Sequence, residues 1–132
     1  MRHKPCLTSE DAQKMVDACK AAAAKLNLEP TVAVVDAGGH LLHLERPDRN
    51  GVNTVEMSTL KAQTAALRGR PSSAFGKRVQ ERVGFLMVPN CLGVEGGIPI
   101  LYEDECIGAV GVSGIAEDDE PIAQAGADAF GK

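Results

Sequence analysis

Thr31-Val32-Ala33-Val34-Val35 is a β-branched run, and it leads at once into Asp36-Ala37-Gly38-Gly39 and then His40-Leu41-Leu42-His43-Leu44-Glu45-Arg46. A buried run, a turn built from residues that accept positive φ, and a returning run with apolar alternation together spell a β-hairpin. The order recurs later in the chain: Gly96-Gly97-Ile98-Pro99-Ile100-Leu101-Tyr102, the pair Glu103-Asp104, then Cys106-Ile107-Gly108-Ala109-Val110-Gly111-Val112-Ser113. Pro99 has no N–H to give a ladder, which places its strand at a sheet edge or puts the proline near the strand start. Strands joined by turns this short are antiparallel, so two such hairpins commit the chain to an antiparallel sheet.

The rest of the chain reads as helix. Thr8-Ser9-Glu10-Asp11 has the form of an N-terminal cap, and Ala12, Met15, Val16, Cys19, Ala23 and Leu26 recur at helical spacing to about residue 27. Asn53-Thr54-Val55-Glu56 has capping-box character, with Asn53 as N-cap, and opens a helix to about Arg68. Gly69-Arg70-Pro71-Ser72-Ser73 interrupts it, and a further helix runs from about Ser73 to Val83 before Gly84. Phe85-Leu86-Met87-Val88 is compatible with a short strand and Pro89-Asn90 with a turn, but Leu86 to Glu95 has no single reading. The acidic run Glu117-Asp118-Asp119-Glu120 with Pro121 opens a last helix to about Phe130. Helices whose apolar stripes need a sheet face to cover, alternating with two hairpins, predict an α+β fold in a single domain over residues 1–132.

Composition narrows the function classes. A net charge of −4 and only one Tyr, three Phe and no Trp leave neither a basic stripe nor a stacking platform for nucleic acid. The apolar runs fall short of the roughly 20 residues that a membrane-spanning helix needs, and Met1-Arg2-His3-Lys4-Pro5-Cys6 runs into a helix without a signal-peptide core. A cytoplasmic protein without membrane partners is the expectation. Cys6, Cys19, Cys91 and Cys106 form no Cys-x-x-Cys pair, and His3, His40 and His43 make no tight ligand set, so reduced thiols and no metal site are expected.

Six segments in series carry a family pattern: Thr8-x-x-Asp11-Ala12, Val34 to Leu41, Glu45-Arg46, Lys61-Ala62-x-Thr64-Ala65, Gly96 to Ile100, and Ile107 to Gly114. Together they resemble the GlcG/HbpS family, which also supplies the C-terminal domain of PduO-type proteins. The resemblance implies a profilin-like fold, an antiparallel sheet of about five strands flanked by helices, and assembly into dimers or larger homo-oligomers. It also implies links to heme binding, to corrinoid or microcompartment operons and to glycolate or aromatic-acid operons. Two departures stand out: Glu103-Asp104 replaces an Asp-Gly turn, and Ile115 follows Gly114 in place of another glycine. Asp tolerates left-handed φ, so the second hairpin should survive the first change.

Three functions then compete. The resemblance favours heme or another tetrapyrrole, bound near the hairpins or at a subunit junction, with His40, His43, Cys91 and Met87 eligible for iron and Arg46 or Lys61 for a propionate. The second is a cofactor-independent enzyme of the proton-transfer, lyase or isomerase type acting on a small carboxylate or keto acid. There Arg46 would hold the carboxylate, Asp36 and Lys61 would serve catalysis, and the Gly96 and Gly97 amides would meet an oxyanion. The third is a non-catalytic assembly module. Plainer roles stand beside these: Asp36 as a turn-former, Arg46 and Lys61 paired with Glu45 or Glu56 on the surface, Gly96-Gly97 as turn residues. Gly108 and Gly111 inside a strand mark a close neighbour, which is a helix, another subunit or a ligand.

Overall fold

A computed structural model describes residues 1–132. The elements run α1 (Ser9–Ala24), β1 (Thr31–Asp36), β2 (Leu41–Glu45), α2 (Thr54–Arg68), α3 (Ser72–Glu81), β3 (Gly97–Tyr102), β4 (Glu105–Ser113) and α4 (Asp119–Asp128). The sheet has four strands in the order β2-β1-β4-β3, and every pairing is antiparallel. The α+β architecture is the one expected, but the sheet lacks a fifth strand. Phe85-Leu86-Met87, compatible in sequence with a short strand, instead lies in a 3-10 turn over Val83–Met87, and Val83, Leu86 and Met87 stay exposed.

The central strands β1 and β4 are buried on both faces, which is why Thr31–Val35 is a continuous β-branched and apolar run. On one face, Val32, Val34, Ile98, Ile100, Val110 and Val112 meet Met15, Val16 and Cys19 of α1 and Ile122 and Ala123 of α4. Each such aliphatic side chain contributes about 1.5–3 kcal/mol when fully withdrawn from water. The other face is a thinner layer of small residues, Val35 and Ala109 against Ala62, Ala65 and Ala66 of α2. Small side chains let α2 lie close to the sheet. A Cβ on Gly111 would stand 2.7 Å from the Ala62 nitrogen and would overlap the Ser58 carbonyl oxygen. Gly97 is pressed in the same way against the Lys61 carbonyl. The neighbour that Gly97 and Gly111 admit is therefore a helix, α2, whereas a Cβ on Gly108 would overlap the Leu7 side chain and the Val35 carbonyl.

Two bulges break the alternation that the sequence suggests. Val34 opposes His43 while Val35 opposes Leu41, so Leu42 is the extra residue of β2. Opposed residues share a face, so His43 and Glu45 lie on the α1 side with Val34 and Val32, and Leu41 and Leu44 lie on the α2 side. Ile107 is the extra residue of β4, since Ile100 opposes Gly108 and Leu101 opposes Cys106. It joins the α1-side core, while the Cys106 Sγ donates to the Ala66 carbonyl of α2 at 3.5 Å.

The caps follow the sequence unevenly. Thr8 Oγ1 accepts from the Asp11 N–H at 3.1 Å and the Thr8 N–H donates to Asp11 Oδ2 at 2.9 Å, a complete capping box. Asn53 precedes α2 as expected but makes no side-chain cap. In the second hairpin Glu103 and Asp104 both adopt left-handed φ, +49° and +65°, so the turn closes without glycine.

Candidate functional site

The residues singled out from the sequence fall into three places. Asp36 and His40 lie together in the first hairpin turn. The Asp36 Oδ1 accepts from the N–H groups of Gly38 at 2.9 Å and His40 at 3.0 Å, so this carboxylate shapes the turn that carries it. Gly39, at φ +84°, takes the left-handed position. Gln63 of α2 donates from Nε2 to the Gly39 carbonyl at 3.1 Å and fixes the turn against the helix, with the His40 side chain exposed.

Lys61, Gly96 and Gly97 form a second, buried group. Lys61 is 1% exposed, and its Nζ donates to the Val112 carbonyl and to Asp119 Oδ2, both at 3.0 Å. It pairs neither with Glu45 nor with Glu56; the partner is Asp119, 58 residues away in sequence. The Gly97 N–H donates to Ser72 Oγ at 2.8 Å, and Ser72 Oγ donates in turn to the Val94 carbonyl at 2.6 Å. The Gly96 carbonyl accepts from the Val112 N–H at 2.9 Å. No buried side-chain nitrogen or oxygen is left without a partner, so nothing here points an orphaned group at a missing ligand.

Arg46 stands in a third place, a groove of about 710 Å3 between α1 and the end of β2. Ala24, Leu28, Pro30 and Pro47 give it an apolar wall, and Lys20, Glu29, Glu45, Arg46, Asp48 and Arg49 bring three cations and three acids. Lys20 and Glu45 satisfy each other at 2.6 Å. The hydrogen bond to Glu45, and then its charge, hold the Lys20 ammonium above its usual range. Arg46 and Arg49 have no carboxylate within 4.0 Å. His43 is half-buried and projects from the same face of β2 as Glu45, about 7 Å back along the strand.

Lys61 packs from α2 on one face of the sheet, and the Arg46 groove opens beside α1 on the other. The fold therefore does not bring Asp36, Arg46 and Lys61 into one site. Of the other iron-ligating types, Met87 is exposed in the 3-10 turn and Cys91 is half-buried in the loop after it. Four further residues matter here, Asp119 and the arginines Arg68, Arg70 and Arg78. Asp119 was visible only as part of an acidic run, and Arg68, Arg70 and Arg78 were hidden in a segment read only for its helix boundaries; the spacing around Gly69 and Pro71 was the available signal.

Residues 7–128 match the family described as haem degrading protein HbpS-like. The chain belongs to the HbpS-like family. Within it, Protein GlcG of Escherichia coli is 36% identical over 108 residues, 81% of this chain and 81% of that protein. A double mutant of HbpS from Streptomyces reticuli, known from a crystal structure, superposes with a TM-score of 0.93 at 31% identity over 100% of this chain and 92% of that one. The crystal structure of a PduOC:heme complex superposes with a TM-score of 0.86 at 23% identity, covering 96% of each chain, a likeness of fold. No helix of this HbpS-like chain is long and apolar enough to cross a membrane.

Proposed function

We propose that this chain binds heme or a related tetrapyrrole in the groove between α1 and β2. The observation that carries the reading is membership in the HbpS-like family over residues 7–128, whose description names haem. The groove itself supports it. Its volume of about 710 Å3 lies within the roughly 300–1,000 Å3 typical of small-molecule sites. Its wall of Ala24, Leu28, Pro30 and Pro47, beside Arg46 and Arg49 with no carboxylate within 4.0 Å, suits a ligand with an apolar body and carboxylates at one end.

Ala24, Leu28, Pro30 and Pro47 would meet the apolar body. Arg46 and Arg49, with no carboxylate within 4.0 Å, would hold the propionates through charge-assisted hydrogen bonds. His43 would offer one imidazole nitrogen to iron. Bound heme would supply redox and oxygen chemistry; the chain's own part in this reading is to hold the macrocycle and exclude water from one side of it.

Titration with hemin, followed by the Soret band, tests the proposal. The wild type should saturate at one hemin per chain. His43→Ala should shift the band, and Arg46→Ala should weaken binding about tenfold, the scale of one charge-assisted hydrogen bond. Hemin uptake that never saturates, or that is unchanged in both variants, would contradict it.

A further inference from the structure

A second cavity, about 340 Å3, lies between α2 and α3 and is lined by Leu67, Arg68, Arg70, Ala74, Phe75 and Arg78. Half of its lining is arginine and none is acidic. Arg68 and Arg70 have no carboxylate within 4.0 Å, and Arg78 reaches only Glu81, at 3.9 Å between two exposed side chains.

The turn between the helices creates this convergence. Gly69 ends α2 in the left-handed conformation at φ +65°, and Pro71 precedes the first residue of α3. Arg68 from the end of α2, Arg70 from the turn and Arg78 from α3 are thereby aimed at one cleft. Two of them also rest on aromatic rings. The Arg68 guanidinium stacks 4.6 Å above the buried Phe75 ring, and that of Arg78 lies 4.8 Å above Phe85. Guanidinium groups crowded together repel one another, and in a chain of net charge −4 the sequence had acids available to pair them. The absence of an acid from this lining, against three in the α1–β2 groove, leaves the cleft with unspent positive charge.

We propose that the α2–α3 cleft binds a small oxyanion carrying two or more negative charges, gripped by Arg70 and Arg78 and backed by Arg68. Planar guanidinium forks match the paired oxygens of carboxylates and phosphates, and arginines fixed by aromatic stacking lose less freedom on binding. A volume at the small end of the ligand-site range fits a compact di- or tricarboxylate or a phosphate group, not a macrocycle. The site lies on the α2 face of the sheet, away from the α1–β2 groove, and does not depend on the tetrapyrrole reading.

Isothermal titration and thermal unfolding of the full chain at low ionic strength test it, with inorganic phosphate and citrate as probes and potassium chloride at matched ionic strength as control. Phosphate or citrate should saturate the protein and raise its Tm beyond the chloride control, and whichever does so more strongly identifies the anion type. Arg70→Ala and Arg78→Ala should each weaken that binding about tenfold or more. Lys77→Ala, which removes the same charge from an exposed position of α3 outside the cleft, should leave it unchanged. Without anion, Arg70→Ala should unfold at or above the wild-type Tm, because it relieves repulsion and gives up no aromatic contact or ion pair; a purely structural role would lower it. The proposal is overturned if chloride reproduces the effect or if the arginine variants bind as the wild type does. It is equally overturned if those variants dissociate an oligomer in light scattering while no anion binds, which would make the cleft a subunit contact.

Discussion

The Lys61 ammonium lies 3.0 Å from Asp119 Oδ2, with the two side chains 1% and 10% exposed, and this pair ties α2 to the start of α4. Asp119 is itself held, since its Oδ1 accepts from the Ile115 N–H at 3.0 Å. Lys61 donates its second bond to Val112 of β4, so one side chain links two helices and the sheet. A buried lysine on this helix is thus accounted for by packing and hydrogen bonding.

Removing one partner of a buried pair strands the other without water. Asp119→Ala should lower unfolding free energy by about 3–5 kcal/mol in urea titrations. Lys61→Met combined with Asp119→Ala should cost less than Asp119→Ala alone, because no charge is then left unpaired. A loss below about 1 kcal/mol for Asp119→Ala would show that the pair contributes little.

Close approach of α2 to β4 depends on the missing Cβ of Gly111. Gly111→Ala should destabilise by about 1–3 kcal/mol or more, the usual range for overpacking, as the helix is forced off the sheet. Gly84→Ala is the matched control. A Cβ there meets nothing within 4 Å, so urea unfolding should find it close to wild type.

Burial pushes the Cys19 thiol up to about 12, against a weaker opposing effect of its hydrogen bond with the Gly126 backbone. At pH 8 a disulfide reagent should label exposed Cys6 readily and leave Cys19 untouched unless the protein unfolds. The linkage has a definite sign. Between the ordinary value of 9.0 and about 12 the unfolded chain releases this proton while the folded one keeps it, so Cys19 makes stability fall as pH rises through that window. Cys19→Ala should flatten that alkaline slope in pH-dependent unfolding.

The capping box makes an opposite prediction at acid pH. Hydrogen bonds from the Thr8 backbone and then its side chain hold the Asp11 carboxyl below its ordinary value of 3.8. Its contribution is complete above that value and is lost as pH falls through the lowered one. Thr8→Ala should cost about 1 kcal/mol at neutral pH and less in acid, measured by urea unfolding at several pH values.

Much of this fold is legible because its signals are local. The β-branched run at Thr31–Val35, the turn at Asp36–Gly39 and the cap at Thr8–Asp11 each declare themselves within a few residues, and the structure has all three. The bulges at Leu42 and Ile107 do not, because an extra strand residue leaves the composition unchanged and appears only in the pairing. Strict alternation would set His43 on the Leu41 face, whereas the observed register turns His43 toward α1. The site residues were harder still. Lys61–Asp119 and the Arg68–Arg70–Arg78 cleft join segments through tertiary packing, and nothing near Lys61 in sequence names its partner.

Amide chemical-shift mapping of the isotope-labelled chain during titration with diamagnetic zinc protoporphyrin reports the place of tetrapyrrole binding as well as its occurrence. Saturable shifts should concentrate at Lys20, Ala24, His43, Glu45 and Arg46, with the α3 amides unmoved. Shifts centred on α3 and Val83–Met87, or no saturable shifts at all, would contradict a tetrapyrrole site between α1 and β2.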